Sequence, residues 1–253
     1  MIKDYLNQII QGDCLEVLKQ LPGESVDLVF ADPPFNIGKK YSFGMDKKVN
    51  YREWTESWIV ECFRILKKTG SFYLMTLPRH LDWKMPIMAS KGIFINLIAW
   101  RNVSASHSKR CFWGEYQPIM LYGKTDQYKF NTYAETEETN KRRWGVYSTE
   151  YRGQLKDRWG DIPFVYAGSI KHKEAIIEPG TNRKKHPCQM PEGLALRAIK
   201  FSTDITDIIL DPFIGSGTTS KVCRENNRNF IGIELNPEYI EIAKKRLASV
   251  KSM

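Results

Sequence analysis

Asp32, Pro33, Pro34 and Phe35 follow directly on an apolar run, in "VFADPPFNIGKKY". An ionised carboxylate accepts hydrogen bonds and donates none, and prolines lack N–H groups but keep their carbonyls. The tetrapeptide therefore presents acceptors on a stiff frame. Such a frame suits an exocyclic amino group with two hydrogens, and Phe35 offers a flat apolar face on which the ring bearing that amine can stack. The competing reading is a strand-to-loop turn with Phe35 buried in the core.

A second group lies in "ILDPFIGSGTTS", residues 209–220. It follows a strand signal and opens a helix, so Gly215 and Gly217 could let the backbone approach a ligand at a helix N-terminus. A phosphate-binding P-loop needs Lys after its last glycine, and Ser or Thr after that; no Lys follows Gly217. The full dinucleotide fingerprint lacks its third glycine. What remains is a nucleoside without pyrophosphate. Glu234 supports it, because it ends the next strand, where a carboxylate can accept hydrogen bonds from both ribose hydroxyls. A tight turn and a solvated strand end are the plain alternatives.

These residues need elements to hold them at strand ends. "NQIIQGD" reads as a short strand, Cys14 to Leu21 as a helix and "VDLVFA" as a buried strand. Trp54, Trp58, Cys62, Ile65 and Leu66 recur at helical spacing, and Gly70 reads as the C-cap. "SFYLMTL" and "IFINLIAW" read as core strands on either side of a Pro-interrupted helical segment, and "QPIMLYG" as a further strand. Near the C-terminus "PEGLALRAIKFS" predicts a helix with Pro191 at its start, "DIILD" a strand, Gly217 to Asn226 a helix, "NFIGIEL" a strand and Glu238 to Val250 a helix. Continuous apolar strands alternating with amphipathic helices predict an α/β fold with a mostly parallel sheet covered on both faces. Asp32 and Asp211 would then sit at carboxyl ends of strands, where open parallel sheets bind ligands.

The 253 residues are 42% hydrophobic, enough for one domain with an inserted subregion. No run reaches the roughly 18 uncharged apolar residues of a membrane span, and the N-terminus lacks a signal-peptide core, which predicts a soluble intracellular protein with no membrane contact. The five cysteines are scattered and never form a Cys-x-x-Cys pair, which argues against a disulfide framework and against a zinc site. His80, His107, His172 and His186 share no ligand spacing, so no metal is expected. Net charge is +9, and residues 101–190 hold sixteen Lys and Arg against ten Asp and Glu. Six of the nine excess charges therefore fall in about a third of the chain, where regular patterning is also lost. A basic irregular stretch predicts a polyanionic partner, against the alternative of a solvated surface.

"DPPF" followed at a distance by "DPFIGSGTT" resembles the amino-methylating DNA methyltransferases that use S-adenosylmethionine, in the circularly permuted order called the beta group. "GDCLEVLKQLP", "FRILKKTGSFYLM", "LKDRWGDIP" and "KHPCQMPEGLALRAI" extend the resemblance from about Ile9 to Leu247 outside the middle segment. It implies a Rossmann-like methyltransferase sheet: residues 1–100 the catalytic half, 101–185 an inserted target-recognition region, and 186–253 the cofactor half. Asp32, Pro33, Pro34 and Phe35 are then catalytic. Asp13 resembles the acid that reads the cofactor's adenine amino group, and Glu234 the ribose acid. Asp211, Phe213, Gly215, Ser216, Gly217 and Thr218 look like the cradle for the methionine end. His186 and Gln189 fall in "HPCQMP", a cofactor-flanking motif that usually reads His-Pro-x-Gln-Lys-Pro, from which Met190 departs.

Asp in the first position of the tetrapeptide implies adenine N6 as the target, Ser being the usual form for cytosine N4. Hydrogen bonds from the amine to Asp32 and to the Pro33 carbonyl would draw the nitrogen towards tetrahedral geometry, an electrostatic role. The target atom is inaccessible in a duplex, so the base must flip. Lys39, Lys40, Tyr41, Lys109, Arg110, Lys141, Arg142 and Arg143 are the candidate contacts to double-stranded DNA. The resemblance admits a homodimer, and a cognate restriction endonuclease or an orphan role. The alternatives are a cytosine-N4 or RNA amino-methyltransferase, and a catalytically silent DNA-binding subunit; an NAD oxidoreductase is disfavoured by the two-glycine loop.

Overall fold

The two runs that end in acids are neighbours in space. In a computed structural model, β2 (Val26–Ala31) lies parallel to β9 (Ile208–Asp211), with Val29 opposite Leu210. The described residues are 1–41, 44–101, 114–131, 156–163, 165, 174–177, 185–186 and 188–250. Lys109, Arg110, Lys141, Arg142 and Arg143 lie outside them.

The other strands are β1 (Gln8–Gln11), β3 (Lys40–Tyr41), β4 (Gly44–Met45), β5 (Leu66–Met75), β6 (Ile93–Arg101), β7 (Tyr116–Gly123), β8 (Arg158–Trp159) and β10 (Asn229–Glu234). The helices are α1 (Cys14–Gln20), α2 (Tyr51–Ile65), α3 (Leu81–Ala89), α4 (Glu192–Ser202), α5 (Thr218–Glu225) and α6 (Pro237–Ala248). The main sheet runs in the order β1-β10-β9-β2-β5-β7-β6-β8. It is parallel from β1 to β5, and β7 runs antiparallel between β5 and β6. From β9 the chain crosses to β10 on one side, and from β2 to β5 on the other. Strand order therefore reverses between β9 and β2, which opens a crevice at their carboxyl ends.

Period-two alternation sends side chains of one strand to two cores. Val29, Ala31, Phe72, Leu74 and Leu210 pack under α1, α2 and α3, while Leu28, Phe30, Tyr73, Met75 and Ile209 pack under α4, α5 and α6. A sheet buried on both faces explains the continuous apolar runs.

Two expectations fail locally. Gly70 is not a C-cap, because α2 ends at Ile65 and turns straight into β5. Leu66 faces Val26 and Ser71 faces Leu28, so residues 67–70 bulge from the ladder, held where Lys67 Nζ meets both Asp27 carboxylate oxygens at 2.8 Å. A Cβ on Gly70 would stand 2.9 Å from the Asp27 carbonyl oxygen, which is why that position is glycine. Nor is β6 a core strand along its length: Ile93 and Phe94 are each 46% exposed, because only the two-residue β8 lies outside it. Among the described residues no helix is long and apolar enough to cross a membrane.

Candidate active site

Asp32 stands one residue past β2, beside Asp211 at the end of β9. Both line a cavity of about 350 Å³ that also takes in Asp13, Pro33, Pro34, Phe35, Glu234 and the loop after β9. The volume falls in the range of small-molecule sites. The side chains expected at the catalytic and cofactor ends thus share one space. Burial first, and then Asp211, push the Asp32 carboxyl up to about 7, opposed by Lys84 and Lys39. Asp211 is likewise raised to about 7, mainly by burial, while its carboxylate accepts from Thr219 Oγ1 at 2.6 Å and from the Phe213 amide at 3.0 Å.

Phe35 is partly buried: its ring packs on the core under α4 and also lines the cavity. The Pro34 carbonyl is occupied: Tyr51 Oη donates to it at 2.9 Å. Pro33 also lines the cavity, next to Asp32.

At the other end, Asp13 is the N-cap of α1 and accepts from the Leu15 amide at 2.9 Å through one oxygen. Glu234 accepts from the Gly215 amide at 3.0 Å and the Asn236 amide at 2.8 Å, which orients the carboxylate, and burial raises its pKa. Each oxygen retains a lone pair for a further donor. Phe213 is set edge-on against Trp58 and Trp54, with centroids 5.0 and 5.7 Å away. Ser216 and Thr218 are tied by Arg246, whose Nη1 donates to the Ser216 carbonyl and to Thr218 Oγ1, both at 3.0 Å. His186 packs edge-on to Tyr239 with centroids 4.4 Å apart and covers Gly215, where a Cβ would approach its Nε2 to 3.0 Å.

Two cofactor-side assignments change. Gly217 does not line the cavity; it takes φ +80° at the start of α5, where a Cβ would come within 2.6 Å of the Ala243 Cβ. Its smallness serves the packing of α5 on α6. Gln189 is buried away from the cavity, accepting from the Ile176 amide at 3.0 Å and donating to the Glu174 carbonyl. It braces the chain ahead of α4. Of the residues expected to contact DNA, Lys39 sits on a loop and Lys40 starts β3; the segment is closed by Asp46, which accepts from the Lys39 and Ile37 amides, and by a reciprocal Asn36–Lys48 pair. Tyr41 lies in β3; only its backbone is described.

Sequence reading missed Tyr51, Lys84 and Asp46. A tyrosine and a lysine on helices carry no signal of their partners, which come from other elements. Burial pushes the Cys14 thiol, on the cavity wall, up to about 12. Among the described residues no group of three or more His, Cys, Asp or Glu could hold a metal ion.

The DNA methylase family matches residues 26–245. The type II methyltransferase M.HpaI of Haemophilus parainfluenzae is 34% identical over 247 residues, covering 96% of this chain and 74% of that protein. The DNA adenine methyltransferase YhdJ of Escherichia coli (strain K12) is 35% identical over 249 residues, covering 94% of this chain and 82% of that protein. Among solved structures, that of an M1.HpyAVI-SAM complex superposes with a TM-score of 0.63 at 23% identity, over 95% of this chain and 98% of that one, and shares the fold. With the acid-proline loop and the glycine loop opening on one cavity, and a family match spanning both, the chain belongs to the DNA methylases.

Proposed function

We propose that the protein transfers a methyl group from S-adenosylmethionine to N6 of an adenine flipped out of double-stranded DNA, in a restriction-modification or orphan modification system. The observation that carries this reading is the cavity that joins the Asp32–Pro33 acceptors to Asp13 and Glu234. Adenine is favoured by Asp at the head of the tetrapeptide and by the relative whose name specifies it. The cofactor is favoured by the donor set and by the neighbour solved with it.

The donor set fits a nucleoside bearing a cationic amino-acid tail. Glu234 and Asp13 offer carboxylate oxygens to hydroxyl and amino hydrogens, and Phe213, Ile214 and Leu235 give apolar walls. When bound, S-adenosylmethionine supplies an electrophilic methyl on a positively charged sulfur. Asp32 accepts one hydrogen of the target amine and the Pro33 carbonyl the other, which concentrates the nitrogen lone pair and offsets the positive charge that develops there. Phe35 stacks the flipped ring, returning ~1–3 kcal/mol of the cost of flipping. Lys39, Lys40 and Tyr41, with Lys109, Arg110, Lys141, Arg142 and Arg143 of the basic segment, contact the DNA backbone. Residues 101–185 serve as the target-recognition region, except that β7 and β8 belong to the sheet. The reading places the protein in the cell with its DNA and admits a homodimer and a cognate endonuclease, which sedimentation and co-purification test.

The direct experiment incubates the protein with methyl-labelled cofactor and duplex DNA, then digests the DNA to nucleosides. Label in N6-methyladenine is expected; label in N4-methylcytosine, or in RNA alone, would overturn the assignment.

A further inference from the structure

Lys84 of α3 is 0% exposed, and the transfer as described gives it no part. Its Nζ lies 5.5 Å from the centre of the Tyr51 ring and 5.3 Å from that of Trp83, and His80 packs against both rings. It donates to Tyr51 Oη at 3.3 Å, and Tyr51 Oη donates in turn to the Pro34 carbonyl. Burying an ammonium in such a place is costly unless an anion or a strong acceptor compensates it. A single hydroxyl at 3.3 Å is weak compensation.

We propose that Lys84 is a positioning residue: the buried countercharge of Asp32, and the donor that forces the Tyr51 hydroxyl to aim its proton at the Pro34 carbonyl. An ammonium has three donors and no acceptor, so Tyr51 Oη accepts from it and must spend its own hydrogen on Pro34. That hydrogen bond fixes the loop and leaves the Pro33 carbonyl to the substrate. The groups facing Asp32 are Lys84 from α3, Lys39 from the loop after it and Asp211 from β9, with Tyr51 from α2 close by. Those facing Lys84 are Asp32, the Tyr51 hydroxyl and the rings of Trp83 and His80. Burial, Lys84 and Arg79 hold the His80 imidazole down to about 4, so it is neutral at physiological pH and supplies no rival charge. Lys84 is itself lowered to about 7 by burial, with Asp32 as the opposing influence.

The role of Asp32 in transfer rests on the proposed function, but its coupling to Lys84 does not, and the test separates them. The protein with 13C-carboxylate aspartate is titrated by NMR, with Asp32→Asn assigning the signal. In Lys84→Met the Asp32 midpoint rises by about one unit; an unchanged midpoint in the folded variant overturns the proposal. Should Lys84→Met not fold, Asp32→Asn carries the reciprocal measurement, in which the Lys84 amine midpoint, read from 13C-labelled lysine, falls by about one unit. An unchanged amine midpoint overturns the proposal equally. For the relay, Tyr51→Phe assayed near pH 7 lowers kcat several-fold with little change in KM, and an undiminished kcat contradicts it. If the midpoints shift but the wild-type protein methylates no adenine, the functional reading falls and the coupling stands.

Discussion

In the proposed transfer Asp32 serves only as an acceptor, yet burial and Asp211 hold its carboxyl near 7. Transfer should therefore fall as pH drops below about 7, since the protonated acid loses acceptor capacity, and a rate–pH profile at saturating DNA checks it. The same shift has a stability consequence. A folded-state pKa above the unfolded value stabilises the protein fully only below the unfolded pKa of about 4, and that stabilisation is lost as pH rises through about 7. The melting temperature of Asp32→Asn, which cannot ionise, is expected to compare more favourably with wild type at pH 8 than at pH 5; an equal difference at both would refute the linkage. The proposed catalytic set stands out in the sequence because it is contiguous: one acid, two prolines and an aromatic define an acceptor frame unaided. Lys84 and Tyr51 do not, because a helical lysine reads as a solvated charge until the loop and the aromatic rings close over it.

At the scale of elements, the glycine loop does two jobs that its sequence does not distinguish. Gly215 lies under His186 and gives its amide to Glu234, whereas Gly217 starts α5 in a left-handed conformation against Ala243. Gly217→Ala should cost about 2 kcal/mol or more, through strain and collision, and lower the melting temperature even without cofactor. A melting temperature within a degree of wild type would show that α6 yields easily. The strands and helices were readable because a sheet buried on both faces imposes long apolar runs. The bulge at 67–70 was not, since an ion pair between Lys67 and Asp27 creates it and Gly70 looks alike as cap or as close-packed backbone. "LKDRWGDIP" was noticed only by resemblance. Its Trp159 and Ile162 enter the core under α4, and Asp161 accepts a two-pronged hydrogen bond from Arg197 of α4. That part of the middle segment is structural.

For the whole molecule, the reversal of strand order between β9 and β2 brings together two motifs nearly two hundred residues apart. Sequence order alone could not place them side by side; alternation of strand and helix made it an expectation. The net charge of +9 belongs to this scale as well, and predicts that DNA affinity falls by a factor on the order of 10³ between 50 and 200 mM salt. Binding measured across that range checks it, and a flat response would remove phosphate contacts from the account. The central claim is that Asp32, at the end of β2, directs methyl transfer within a cavity whose cofactor end is built separately around Asp13 and Glu234. The most direct test is single-turnover transfer to duplex DNA by Asp32→Ala, with the cofactor dissociation constant measured on the same preparation. The account predicts that transfer is abolished while cofactor affinity stays within a few-fold of wild type; undiminished transfer by that variant would contradict it.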